Sequence, residues 1–183
     1  MIQNSVQAVE FRTICYHGLM TEQHKPFVFV FDYDNVPHTA ISVGSKRLPD
    51  ISEIISVHAL PFTVDNKVVV VNVRSRGVDV AGGHIEETDA TILDALTREL
   101  IEEAEMTIKN PRLLDVLEIS SSLINEGDRK YIVIYSADID RLGDFNPNDE
   151  ISERLALSAE EFSERYFGKT PSYIKHLFAS AMR

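Results

Sequence analysis

The sequence is short of cysteine, of basic charge and of long apolar runs. Cys15 is the only cysteine among 183 residues, which excludes an intrachain disulfide and a cysteine-based zinc site and suits a reducing compartment. Eighteen Lys and Arg stand against 29 Asp and Glu, a formal charge of -11. That surplus disfavours a nucleic acid duplex or an anionic membrane as the main partner, because both need clustered Lys and Arg. The longest apolar runs, Phe27 to Phe31 and Val68 to Val71, fall far below the ~20 residues that span a bilayer. The opening stretch Met1 to Arg12 lacks a basic segment followed by an apolar one, so it is not expected to be a signal peptide. A cytoplasmic location is the expectation. No repeat recurs at solenoid periods.

What is present is an ordinary globular composition, 44% hydrophobic and 26% charged. A chain of this length fits one domain and can bury a core without staples. Val9 to Tyr16 and Pro26 to Tyr33 are rich in β-branched and aromatic residues and read as paired strands. Val36 to Asp50 is punctuated by Pro37, Gly44 and Pro49. A second strand pair, Ile54 to Val64 and Lys67 to Val73, surrounds the polar turn Asp65-Asn66. Val78 to Val80 is a short strand before the pair Gly82-Gly83. Helical spacing runs from Thr91 to Met106, and Lys109-Asn110-Pro111 is expected to stop it. Leu113 to Leu123, Tyr131 to Ala137 and Arg154 to Leu157 read as strands. Ser158 with Glu161 forms a capping box for the next helix, and Ser172 to Met182 is a last one. This interspersion favours a mixed sheet with helices on its faces.

The helix from Ile92 carries the chemistry. At 100° per residue, Ile92, Leu93, Leu96, Leu100 and Ala104 share an arc of about 120° that predicts the core stripe. Glu99 and Glu103 flank that stripe, with Glu102 beside Glu99. Acids at the margin of a buried face rarely stand without a partner, and like charges at i and i+4 repel. A hard divalent cation reverses that repulsion. Oxygen donors within one helical turn suit Mg²⁺, which keeps waters and takes one or two carboxylates plus phosphate oxygens. Arg98 precedes Glu102 by four residues and can hold a ligand carboxylate in place. Gly82-Gly83 lets backbone approach a ligand closely. A solvated acidic face is the competing explanation of the same charges.

The stretch Gly82 to Met106, GGHIEETDATILDALTRELIEEAEM, resembles the signature of the Nudix hydrolases, G-x5-E-x7-R-E-U-x-E-E-x-G-U with U apolar. Arg98, Glu99, Leu100, Glu102, Glu103, Met106 and Gly83 match it in order. Asp89 replaces the first-half glutamate, with eight rather than seven residues before Arg98. Glu105 stands at the signature's glycine and Ala81 at a proline common before the glycine pair. With glutamate there, a left-handed cap is disfavoured and the helix is expected to continue toward Lys109.

The resemblance implies a Nudix-type α/β/α sandwich with a mixed β-sheet over residues 51–183; the strand-rich residues 1–50 read as a β-rich N-terminal extension, either separate or part of the same domain. It implies hydrolysis of a nucleoside diphosphate linked to another moiety, with Mg²⁺ or Mn²⁺, by attack of water on phosphorus. Glu99, Glu102 and Glu103 would then be metal ligands, joined by the Gly83 carbonyl, with one glutamate able to act as base and Arg98 supporting them. Arg74 and Arg76 are candidates for phosphate contact. Glu150 or Glu153 is the leading candidate for a further acidic ligand, and Glu118 the next. His84 and His58 read as structural. The implied partner is a small-molecule nucleotide, and the extension's strand edges offer a homodimer contact.

Two rivals carry distinct signals. A Nudix-fold module that binds nucleotide without cleaving it is consistent with Asp89, the extra residue and Glu105. Phe27 to Val36, FVFVFDYDNV, resembles the nucleophile strand of haloacid-dehalogenase-like phosphatases, with Asp32 attacking phosphorus and Asp34 as acid/base. That fold needs parallel strands, a later lysine and an acidic pair such as Asp138 and Asp140. The acidity is also uneven: Glu86 to Glu105 holds eight acids and one base, Arg98, and Asp138 to Glu164 holds nine acids against Arg141 and Arg154.

Overall fold

The computed structural model describes residues 26–33, 36–125 and 128–182. The strand expected at Val9 to Tyr16, Cys15 and Asp34 lie outside them. Among the described residues nine strands and three α-helices follow one another: β1 (Val28–Tyr33), β2 (Val36–Ser42), β3 (Ile54–Phe62), β4 (Val68–Val73), β5 (Gly77–Asp79), β6 (Ala81–His84), α1 (Ile92–Ala104), β7 (Met106–Ser121), β8 (Lys130–Leu142), β9 (Ile151–Leu157), α2 (Ala159–Arg165) and α3 (Pro171–Ala181). The strands join in the order β1-β2-β7-β8-β3-β4-β5, with β6 on β3 and β9 on β4. β3 and β8 run parallel, whereas the other named pairs are antiparallel. The sheet is therefore mixed, with helices on both faces.

The valine run of β4 shows why. Val69 and Val71 pack under α1 with Leu96, Leu100 and Ala104, while Val68 and Val70 face Phe162, Ile174, Leu177 and Phe178 of α2 and α3. A strand covered on both faces has no polar side, so it reads as an unbroken apolar run. Alternation along β3 does the same for the site. Val57 and Ala59 enter the α1 core and Leu60 the opposite one, and a register irregularity between Ile54 and Ser56 resets the strand next to β6.

Several local expectations change. β2 lies within the stretch punctuated by Pro37, Gly44 and Pro49; Pro37 stands opposite Asp32 of β1 and before the pairing with β7 begins at His38, so its missing N–H leaves the ladder to β7 intact. The pairing partner of β1 among the described residues is thus β2. The Lys109-Asn110-Pro111 breaker does not lie beyond a helix; it is absorbed within β7 as an irregularity between Lys109 and Arg112, with Asn110 at φ 52.

The helix also ends earlier than predicted. α1 stops at Ala104, and Glu105 adopts the left-handed conformation at φ 48 and ψ 45. Tertiary contacts override the side chain's preference here. Met106 is buried at 1% exposure, so the chain must turn sharply into the core. Arg154 Nη1 donates to the Ala104 carbonyl at 2.6 Å, and the Gly143 N–H donates to the Glu105 carbonyl at 2.7 Å. These bonds satisfy carbonyls that a helix end leaves open. Leu93, expected in the core stripe, is 41% exposed, and Ala95 takes its place inside.

The phosphatase rival does not fit this topology. β1 pairs antiparallel with β2, whereas that motif requires parallel neighbours.

Candidate functional site

The site forms where β3, β6 and α1 meet. β6 pairs with β3 in the register Val57↔Gly83 and His58↔Gly82, which lays the two glycines beneath one side of α1. Gly82 has φ 140, and a Cβ there would lie 2.3 Å from the Val57 carbonyl oxygen. Gly83 is equally tight: a Cβ would come within 2.6 Å of the Glu99 carboxyl. Only glycine lets this backbone approach the helix carboxylates so closely.

Glu103 is buried at 8% exposure and its Oε2 accepts the Gly82 N–H at 2.8 Å. Burial pushes its pKa up to about 8; Glu99, Glu150 and Asp79 push the same way, against the lowering effect of the Gly82 N–H. Glu99 is 13% exposed and Glu102 59%. Burial also raises the Glu99 carboxyl, opposed mainly by its bond to Arg98.

Arg98 organises the margin. Its Nη2 and Nε donate to Asp89 at 2.9 and 3.3 Å, its Nη2 to the His84 carbonyl at 2.9 Å, and its Nη1 to Glu99 at 2.8 Å and Glu102 at 3.4 Å. Asp89 also accepts the Glu86 N–H at 2.8 Å. The shorter acid and the extra residue before Arg98 therefore still yield a two-pronged grip on the guanidinium. That grip raises the arginine's pKa, Asp89 foremost, and lowers that of Asp89.

The remaining residues divide clearly. Arg76, Gly83, His58, His84 and Glu150 line the same cleft as the three glutamates and Arg98. Arg76 Nε donates to Asp79 at 2.8 Å, and its guanidinium lies over Phe167 at 5.5 Å. Arg74 lies outside the cleft lining and donates from Nε to the Asn148 carbonyl at 2.9 Å. Glu153, on β9 opposite Asn72, and Glu118, on β7 opposite Tyr131, are likewise outside it. His58 is held neutral, with burial pushing it down to about 3. Its Nε2 meets Ser56 Oγ at 3.1 Å.

Sequence reasoning missed Asp79, which is 4% exposed and lines the cleft. Burial raises its carboxyl against the pull of Arg76. The signal available was the i, i+3 spacing from Arg76. The apolar half of the cleft, with Phe29, Phe31, Leu117, Ile134 and Tyr173, was also unforeseen, since it draws on strands distant in sequence.

The donor set fits a hard divalent cation in part. Every donor is oxygen, and Glu99, Glu103, Asp79 and Glu150 crowd like charge into one cleft. Among the described residues no three His, Cys, Asp or Glu converge at ligand spacing. A partial carboxylate set suits an ion that keeps waters and takes phosphate oxygens.

The family model for the NUDIX domain matches residues 53–177. Among solved structures, a NUDIX hydrolase from Nitrosomonas europaea is similar at 18% identity and TM-score 0.53, covering 71% of this chain and 88% of its own. An ADP-ribose pyrophosphatase from Streptococcus suis is similar at 20% identity and TM-score 0.53, covering 71% and 92%. A Bacillus subtilis pyrophosphohydrolase is similar at 18% identity and TM-score 0.57, covering 83% and 97%. No curated protein matches the chain significantly. Among the described residues no helix is long and apolar enough to cross a membrane.

Proposed function

Because the chain belongs to the NUDIX family, we propose that it is a divalent-metal-dependent hydrolase that cleaves the pyrophosphate linkage of a nucleoside diphosphate joined to another moiety, with water attacking phosphorus. The observation that carries this reading is the convergence of Glu99 and Glu103 on the glycine pair, with Arg98 clamped by Asp89 at one side and Arg76 by Asp79 at the other. The similarity to an ADP-ribose pyrophosphatase and to a pyrophosphohydrolase agrees with it.

Glu99 and Glu103, with Glu102 and the Gly83 carbonyl, would hold Mg²⁺ or Mn²⁺. When bound, the ion supplies charge neutralisation at the phosphates and acidifies water. The chain's own residues do the rest. Arg98 fixes the Glu99 carboxylate, and Asp89 with the His84 carbonyl fixes Arg98, so the helix side chains are aligned before substrate arrives. The Gly82 N–H holds Glu103 facing the cleft. A glutamate of this set that is not bound to the ion would be placed to receive a proton from the attacking water. Arg76, oriented by Asp79, offers a cation to a phosphate oxygen that develops charge as the leaving group departs. Glu150 lines the same cleft, which Glu153 and Glu118 do not, and is the further acid of those expected from the sequence that could join the set. A homodimer through the N-terminal extension is part of the same proposal; a monomeric mass in solution would contradict it.

The test is a product-identified hydrolysis screen over nucleotide sugars, ADP-ribose, dinucleoside polyphosphates and (d)NTPs, each with Mg²⁺ and with EDTA. Mg²⁺-dependent release of a nucleoside monophosphate from at least one diphosphate-linked substrate is expected. Binding across the panel without turnover would assign a nucleotide-sensing role instead.

A further inference from the structure

Tyr166 lines the same cleft as Arg76, Asp79 and Glu103. It follows directly on α2, whose last turn it closes by donating its N–H to the Phe162 carbonyl at 2.9 Å. The chain is then tied to β5: Tyr166 forms a parallel bridge with Val78, and the Phe167 N–H donates to the Val78 carbonyl at 2.9 Å. Val78 precedes Asp79, so the end of α2 is held beside the Arg76 and Asp79 pair. Packing fixes the side chain as well. Phe162 and Phe167 meet the Tyr166 ring edge-on at 5.4 and 5.1 Å. Gly168 leaves the room the ring needs, because a Cβ there would stand 2.5 Å from Tyr166 Cε1 and 3.0 Å from its Cζ.

We propose that Tyr166 is a further catalytic residue, whose hydroxyl donates a hydrogen bond to the phosphate oxygen that Arg76 faces. The inference rests on the hydrolase reading for the identity of that anion as a substrate phosphate. Asp79 engages Arg76 through Nε alone, at 2.8 Å. Among the described residues neither Nη of Arg76 nor the Tyr166 hydroxyl has a hydrogen-bond partner. Buried side-chain atoms left without a partner among those residues are His58 Nδ1 and Thr170 Oγ1; the Tyr166 oxygen, also without one, is therefore open to the cleft it lines. Burial raises the hydroxyl's pKa, with Asp79 adding to the rise and Arg76 opposing it, so the group stays a donor and lies within electrostatic reach of that pair. An arginine paired with an aspartate carries little net charge toward a phosphate, and Glu99, Glu103 and Glu150 crowd the same cleft. A neutral donor adds a directed bond without recruiting another counter-charge. Because packing already fixes the ring, little freedom is lost when the bond forms.

The experiment is equilibrium binding of methylenediphosphonate, whose P–C–P link resists hydrolysis, by calorimetry with Mg²⁺. It uses the full chain and the variants Tyr166→Phe and Tyr166→Leu, each with its urea unfolding midpoint measured alongside. Phenylalanine keeps the ring and removes only an oxygen that has no protein partner, so the unfolding midpoint is expected to stay where it is. Binding is expected to weaken about tenfold, the effect of losing one hydrogen bond to a charged group. Leucine removes ring and hydroxyl together and should weaken binding at least as much. With a nucleotide that turns over, Tyr166→Phe should lower kcat/KM by about tenfold or more. Unchanged binding and turnover in Tyr166→Phe would overturn the proposal and leave the hydrolase standing. A loss in Tyr166→Leu but not in Tyr166→Phe would also overturn it, by making the ring the active part. So would weaker binding in Tyr166→Phe that comes with a lowered unfolding midpoint, which would make the hydroxyl a structural group. Hydroxyl-dependent binding with no hydrolysis of any substrate would uphold the contact and refute the hydrolase.

Discussion

Replacing Glu103 by Gln should make the metal-free protein more stable at alkaline pH. Glu103 is 8% exposed, and its folded pKa is pushed up from 4.5 to about 8, mainly by burial and then by neighbouring carboxylates. The folded protein therefore holds this proton more tightly than the unfolded chain does. The contribution of Glu103 to stability therefore falls as pH rises from about 4.5 to about 8 and is level beyond, because the unfolded chain ionises first. At 1.36 kcal/mol per pH unit the whole interval amounts to about 5 kcal/mol; water entering the open cleft lowers this to about 2 to 3 kcal/mol. Gln keeps an acceptor for the Gly82 N–H without the charge. Urea unfolding of both proteins in EDTA, from pH 4.5 to 8.5, is the assay. The variant should gain about 2 to 3 kcal/mol on the wild type between the two ends of that range. A constant offset from the substituted amide does not affect this slope. Mg²⁺ should then stabilise the wild type far more than the variant, by mass action on the folded state. A stability difference that does not change with pH would refute the reasoning.

Other outcomes follow from the same geometry. Glu105→Gly should stabilise the fold by about 0.5 to 1 kcal/mol in urea unfolding, because glycine takes the left-handed cap without a Cβ clash; a loss of stability would show that the glutamate side chain contributes there. Arg154→Met should cost about 2 to 3 kcal/mol by the same measurement, since it removes bonds to the Ala104 and Gly143 carbonyls. Asp115→Ala should cost about 3 kcal/mol, because the carboxylate is 2% exposed and accepts from Ser42, the Gly44 N–H and Tyr173. Asp89→Ala should lower kcat about tenfold through a loosened Arg98, and Asp89→Glu should restore most of it; an unchanged kcat for the alanine variant would remove the clamp from the account.

Much of this was legible in the sequence because the signals are local. The Ser158 and Glu161 capping box is present with both of its bonds. The glutamates of α1 occupy one helical turn, so their proximity follows from spacing alone. What was hidden depends on distant contacts. The left-handed Glu105 is held by Arg154 and Gly143, far along the chain, and no local rule predicts a glutamate there. The two-pronged fit of Asp89 to Arg98 depends on how the loop from His84 to Ala90 folds back. β1 reads as a strand, but which of its faces meets the cleft is decided by the pairing of β2 with β7, in which Thr39 lies opposite Ser120. Composition showed acids concentrated in Glu86 to Glu105 and Asp138 to Glu164; the cleft takes Glu99, Glu102, Glu103 and Glu150 from those segments and adds Asp79 from neither.

The central claim is that the α1 glutamates direct water onto phosphorus of a nucleoside diphosphate derivative. Its most direct test is turnover in ¹⁸O-water with Mg²⁺, with mass analysis of each phosphate-bearing product, for the wild type and Glu103→Gln. The account predicts a single label in one product and a rate in the variant lower by about 10² to 10⁴. Hydrolysis that proceeds at the wild-type rate in Glu103→Gln, with the label unchanged, would contradict it.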